Sequence, residues 1–172
     1  LDSESVAYLK VALQAMGFIA MGLAATNTVI MPLLARSYSN DDLNKSQGLL
    51  RKSVRLNVLI TLPMIFLMIA FGKPIISLLF GGAFLPSYRL LVILCIGQLV
   101  NVLMGSVGTV LYMTGNAKEA VMPMIFGLFS NIFLVSVLTP LYQELGAVIG
   151  ISSSVVMWNL LMAYKVKKIT GL

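Results

Sequence analysis

Leu90–Ala117 reads LLVILCIGQLVNVLMGSVGTVLYMTGNA, and no residue in it is charged, although Arg89 precedes it and Lys118 and Glu119 follow. A bilayer core of about 30 Å needs roughly 20 mostly apolar residues as helix, and the run lacks the period-2 alternation of a half-buried strand. It predicts a membrane-spanning helix. Gly97, Asn101, Gly105 and Gly108 fall near one side of that helix at steps of four, four and three, with Gln98 a residue away. An amide in hydrocarbon is costly unless it finds a partner, so Gln98 and Asn101 are expected to face a helix bundle or a wet cavity. Two roles fit them: glue between helices, or the lining of a substrate path.

Composition extends this reading to the whole chain. Of 172 residues, 59% are hydrophobic and 10% charged, where a soluble globular domain carries about 25% charge. The formal charge is +6, but the basic residues sit between apolar runs and form no face interleaved with aromatics, so no nucleic-acid partner is expected. There is no histidine and one cysteine, Cys95, inside an apolar run, which leaves no disulfide within the chain and no metal set. No cofactor and no catalytic residue are expected. Leu1 is not methionine, and Asp2 and Glu4 stand where a signal peptide would be basic, so the chain reads as a piece of something larger.

The pattern predicts an all-α polytopic membrane protein with about five transmembrane helices. They fall at about 6–35, 54–72, 88–113, 118–139 and 144–165, with interfacial helices at about 40–53 and 74–80. Pro32 and Pro63 lie inside the first two spans, where a missing N–H and a ring clash one turn back predict kinks. Asn27 and Thr28 precede Pro32, and Thr61, near Pro63, is placed to bond a backbone carbonyl. Ser39 or Asn40 is a candidate cap for a helix whose first turn holds Asp41 and Asp42. Gly72, Lys73 and Pro74 read as a break, Thr114–Asn116 as a tight turn, and Pro140 as the end of the fourth span. In the fifth, Gly146, Gly150 and Ser154 repeat at four-residue steps, a face that admits another helix closely, as Gly105 and Gly108 do in the central span.

Charge orients these spans. One set of loops, 36–55, Lys118 and Lys165–Lys168, carries nine Lys or Arg, and the other set has Lys10, Lys73 and Arg89. Basic loops stay cytoplasmic, so the chain start is expected outside and the chain end inside.

Phe71–Ala120, FGKPIISLLFGGAFLPSYRLLVILCIGQLVNVLMGSVGTVLYMTGNAKEA, resembles the second half of bacterial polysaccharide or O-antigen flippases. These form the oligosaccharide branch of the multidrug/oligosaccharidyl-lipid/polysaccharide exporter superfamily. The likeness continues into VIMPLLARSYSNDDLNKSQGLLRKSVR before the run and LTPLYQELGAVIGISSSVVMWNLLMAYKVKKITGL after it, so it covers essentially all 172 residues. GQLVN, the small-residue span, MTGN and the proline-then-LGA turn come in the family's order.

The resemblance implies a two-lobe transporter with six helices per lobe, of which this chain would be helices eight to twelve, and a missing N-terminal lobe as partner. It implies export, by alternating access across the bacterial plasma (inner) membrane, of undecaprenyl-pyrophosphate-linked oligosaccharide, with membrane lipid around it. The substrate-path candidates are then Asn27, Gln98 and Asn101 at depth, with Arg36 and Arg55 at a basic mouth that would attract a diphosphate. Positive-inside topology accounts for the same arginines without a ligand. A cation-coupled drug or metabolite antiporter of the same superfamily would share the helices but calls for an acidic residue at depth, and no span has Asp or Glu in its interior. A lipid-sugar enzyme would place carboxylates or histidine at head-group level, where only Asp41, Asp42, Glu119 and Glu144 are available, spread between sides. A non-transporting structural membrane fragment is the remaining alternative.

Overall fold

The computed structural model describes residues 2–39, 43–104, 108, 111–112 and 116–170. Four long helices carry the fold: α1 (Ser3–Ser39), α2 (Leu43–Phe80), α3 (Ser87–Met104) and α4 (Ala117–Thr170). A 3₁₀ turn at Gly82–Phe84 links α2 to α3. All four helices are long and apolar enough to cross a membrane, so the chain is an all-α polytopic membrane protein. Asn40, Asp41, Asp42, Gly105, Thr114 and Gly115, which the sequence reading uses for a cap, a packing face and a turn, lie outside the described residues.

Outward-facing apolar side chains follow from the solvent being lipid: Leu78, Met122, Phe66 and Phe133 are exposed on the bundle surface. The buried core is narrower. Ala12, Ala15 and Ile19 of α1 meet Ile65, Met68 and Ile76 of α2, Leu91, Leu94 and Cys95 of α3, and Val148 of α4. Alanines on α1 let its neighbours approach. At Gly22 a side chain would come 3.1 Å from Ile60 and 3.7 Å from the Thr61 hydroxyl, so α1 and α2 run antiparallel in close contact there. Asp2 caps α1 by accepting the Ser5 N–H at 2.9 Å, and hydrogen bonding from Ser5 holds its carboxyl below the usual carboxylate range.

α2 differs from the sequence reading. The interfacial helix expected at 40–53 runs on into the span at 54–72, as its sequence indicates, but the segment at 74–80 continues the same helix from Leu43 to Phe80, and Gly72, Lys73 and Pro74 lie inside it. Tyr88 of α3 packs on this stretch. Its hydroxyl donates to the Ile69 carbonyl at 2.6 Å, beside the Ala70 carbonyl that Pro74 leaves without an N–H partner. Its ring occupies the space a Gly72 side chain would fill, with ring carbons 2.8 and 2.9 Å from that position. The glycine that reads as a breaker is a seat for an aromatic ring. Pro32 and Pro63 likewise sit within helix, both exposed, and α1 and α2 remain helical through them.

α4 also departs from expectation, because Pro140 does not end a helix. The turn comes at Gln143, whose φ of 52° and ψ of −132° break an otherwise helical run of 54 residues. The two arms, 117–142 and 144–170, fold back on each other. Gly146 lies against Leu138, Gly150 against Leu134 and Val135, and Gly127 against Trp158. Asn131 donates to the Ser154 hydroxyl at 2.9 Å, and Lys165 pairs with Glu119 at 2.5 Å at the open end. These pairs keep a nearly constant sum of residue numbers, the mark of an antiparallel helical hairpin.

A non-glycine residue at positive φ stores strain, here in a region that glycine enters freely. Gln143→Gly is therefore expected to stabilise the protein by about 1 kcal/mol. Thermal unfolding in detergent reads this as a raised midpoint, and a lowered one would mean the Gln143 side chain holds the turn.

Candidate functional site

Gln98 and Asn101 lie three residues apart on α3, and the structure brings their amides together: Asn101 Nδ2 donates to Gln98 Oε1 at 2.7 Å. Both line a cavity of about 140 Å³ between Met16 of α1 and Ser152, Val155 and Trp158 of the second arm of α4. Gly97 is what closes this wall. A side chain there would meet Ser152 Cβ at 2.8 Å, so α3 and α4 touch backbone to side chain at this point. The cavity's volume holds a few waters at about 30 Å³ each, and is below the roughly 300 Å³ at which small-molecule sites begin. In this conformation the cavity is a mostly apolar pocket carrying two amides and one hydroxyl, of a size to hold water or one inserted polar group.

Asn27, Arg36 and Arg55 do not line it. Asn27 is eleven residues beyond Met16 on α1, about 16 Å along the axis. From the Gly22–Thr61 contact, Asn27 lies five residues on along α1 and Arg55 six back along α2, which puts them at one level. Asn27 is half-buried, and Arg36 and Arg55 are exposed, with Arg36 in the last turns of α1. The five candidates thus fall apart: an amide pair at depth, Asn27 and Arg55 at a second level, and Arg36 about 13 Å further along α1, toward its end.

That end is the basic one. Leu111, Ala120, Met162 and Val166 form a second buried cluster there, joined by Leu49 and Leu50 from the start of α2. Arg51, Lys52, Lys118, Lys167 and Lys168 are exposed around it. At the opposite end Tyr8 meets Phe84 edge to face, and Ser5 donates to Glu144 at 3.1 Å. Lys73 and Arg89 belong to that second end. Charges that alternate along the sequence are therefore segregated in space.

The family described as Lipid II flippase MurJ matches residues 1–170. The chain belongs to the MurJ lipid II flippase family. Its members are membrane transporters and not enzymes, which places the chain among multi-pass transport proteins of the bacterial inner membrane. The match agrees with the exporter superfamily indicated by GQLVN and MTGN, and names lipid II flippases where the resemblance pointed to polysaccharide and O-antigen flippases. A search of curated proteins finds no match.

In this MurJ-family chain, one polar feature was missed in the sequence. Ser53, Asn57 and Thr61 recur at four-residue steps on α2 and are all fully buried. Among the described residues neither polar atom of the Asn57 side chain has a hydrogen-bond partner, and neither has the Thr61 hydroxyl, which does not bond the backbone carbonyl expected of it. The i, i+4, i+8 spacing was legible beforehand. Thr28, by contrast, turns back to the Ala24 carbonyl at 3.0 Å.

The small-residue face of the family member's last arm, Gly146, Gly150 and Ser154, lies against the first arm of the same helix. Ser154 accepts from Asn131 and donates to the Ile151 carbonyl at 2.8 Å. Among the described residues Gly108 has Met162, 3.8 Å from where its side chain would start. Among the described residues no three His, Cys, Asp or Glu side chains gather as a metal set.

Proposed function

We propose that the chain is one lobe of a flippase that carries a lipid-linked oligosaccharide, undecaprenyl-pyrophosphate-linked, from the cytoplasmic to the outer face of the inner membrane by alternating access. A second lobe of the same protein supplies the facing wall. The observation that carries this reading is the Gln98–Asn101 pair lining a pocket inside an apolar bundle of a MurJ-family chain. Amides at depth are costly, and a polar headgroup passing a lobe wall needs such donors and acceptors. Asn27, Arg36 and Arg55 extend the path toward the basic end, where fixed positive charge meets the diphosphate first.

The bundle crosses the membrane five times in this reading, because each arm of α4 is roughly 40 Å long at 1.5 Å per residue and spans alone. The basic end is cytoplasmic, which sets the chain start outside and the chain end inside.

Orientation is tested by an impermeant thiol reagent on intact cells in a Cys95→Ala background. Ala83→Cys, exposed in the 3₁₀ turn, is expected to label, and Lys52→Cys, exposed at the basic end, only after permeabilisation. The reverse pattern would overturn the orientation.

Transport is tested in the protein as cells make it, with lipid II delivery to the outer face measured at matched membrane abundance. Asn101→Ala and Arg36→Ala are each expected to lower delivery about tenfold, the effect of about 1.4 kcal/mol lost from one polar contact. Normal delivery in both variants would sink the substrate path, and a fall in abundance alone would make these residues packing elements.

A further inference from the structure

The end opposite the basic tail holds a second cavity, about 550 Å³, lined by Lys73 of α2, Tyr88 and Arg89 of α3, Glu144 beside the α4 turn, and apolar Leu85 and Leu145. Its volume lies within the range of small-molecule sites. Lys73 is positioned: its ammonium stands over the Tyr88 ring, 5.5 Å from the centroid. Tyr88 in turn is fixed by the Ile69 carbonyl and by its seat on Gly72. Arg89 is in the first turn of α3. Neither cation forms a salt bridge among the described residues, where the ion pair is Lys165 with Glu119 at the other end. Glu144 accepts the Ser5 hydroxyl through Oε2 and is part of the cavity lining.

Two cations and one carboxylate around one cavity discriminate among ligands. A simple anion would satisfy Lys73 and Arg89 while facing Glu144, and a simple cation would meet the reverse conflict. A ligand carrying both a phosphate and an amine satisfies all three at once. We propose that this cavity binds a zwitterionic aminophosphate headgroup, its phosphate on Lys73 and Arg89 and its ammonium on Glu144. The apolar walls at Leu85 and Leu145, with exposed Phe71 and Leu141 on the neighbouring helix surfaces, favour a lipid as the bearer of that headgroup. The site is separate from the Gln98–Asn101 pocket and does not rest on the substrate proposed for it.

The test uses purified protein in nanodiscs of phosphatidylethanolamine mixed equally with phosphatidylglycerol, with retained lipid measured by native mass spectrometry. The unaltered protein is expected to retain phosphatidylethanolamine in preference. Glu144→Gln keeps an acceptor for Ser5 and removes only the charge, so it is expected to lower the ratio of the two lipids about tenfold. Lys73→Gln with Arg89→Gln is expected to lower retention of both, and Lys73→Arg to restore it in part. Soluble phosphoethanolamine at millimolar concentration distinguishes the source: displacement of the lipid means the headgroup alone suffices, and no displacement means the acyl chains are required. Either result supports the site. An unchanged ratio in Glu144→Gln, or undiminished retention in the double variant with normal melting, would overturn it. Loss of the transport effect at Asn101 would leave this result standing.

Discussion

Gly146→Ala is expected to cost about 3 kcal/mol or more, the upper end of the effect of overpacking a tight core. The added carbon would sit 2.0 Å from the Leu138 carbonyl oxygen and 2.9 Å from the Thr139 nitrogen. Both neighbours are backbone within the other arm of the hairpin, so no side chain can turn aside, and the arms must part or the turn at Gln143 must move. Gly150→Ala is milder, since its nearest neighbours, the Val135 nitrogen and the Leu134 carbonyl carbon, stand 3.0 and 3.1 Å away. Gly17→Ala is the control. Nothing lies within 4 Å of its added carbon, and the gain in helix propensity makes it neutral to stabilising by up to about 1 kcal/mol. Melting of each variant in detergent, followed by size-exclusion yield, should rank them 146, 150, 17 from worst to best. Equal behaviour of Gly146→Ala and Gly17→Ala would show that the arms do not meet as described.

Asn57→Leu is expected to act in the opposite direction and stabilise the protein by about 1–3 kcal/mol. The Asn57 amide is fully buried, and among the described residues both its donor and its acceptor lack partners. Removing an unsatisfied buried polar group returns its desolvation penalty, and an apolar side chain of similar size keeps the packing against α1. Thr61→Val makes the same exchange for one hydroxyl and should gain about 1 kcal/mol. The pair is one helical turn apart, so the double variant reports their coupling. A loss of stability in Asn57→Leu would mean that the amide is satisfied in the membrane, by ordered water between α1 and α2, and would mark the Ser53–Thr61 stripe as a hydrated seam.

Breakers show where reading the chain succeeds and fails. Gly72, Lys73 and Pro74 carry every local signal of an interruption, yet α2 passes through them. Tyr88, whose ring sits against Gly72, comes from another helix, and local propensity holds no information about it. Pro140 fails as a stop for a related reason: proline forbids a hydrogen bond to one carbonyl but does not specify which residue will take the reversed backbone. That residue is Gln143, a side chain with no turn signal of its own.

For this protein the sequence by itself determined the solvent, the class and the family likeness, because those depend on sums over many residues: apolar runs of spanning length, scarcity of charge, and motif order across the chain. It also located the amides at Gln98 and Asn101, since a cost of burial belongs to the residue wherever it packs. Only the tertiary structure decided that these two amides bond each other, that Asn27, Arg36 and Arg55 stand apart from them, and that the Gly146–Gly150–Ser154 face packs on the arm just before it. It alone gathered Lys73, Arg89 and Glu144 around one cavity from three helices. Such pairings are set by helix register and approach distance, which arise between segments and are not written in either one.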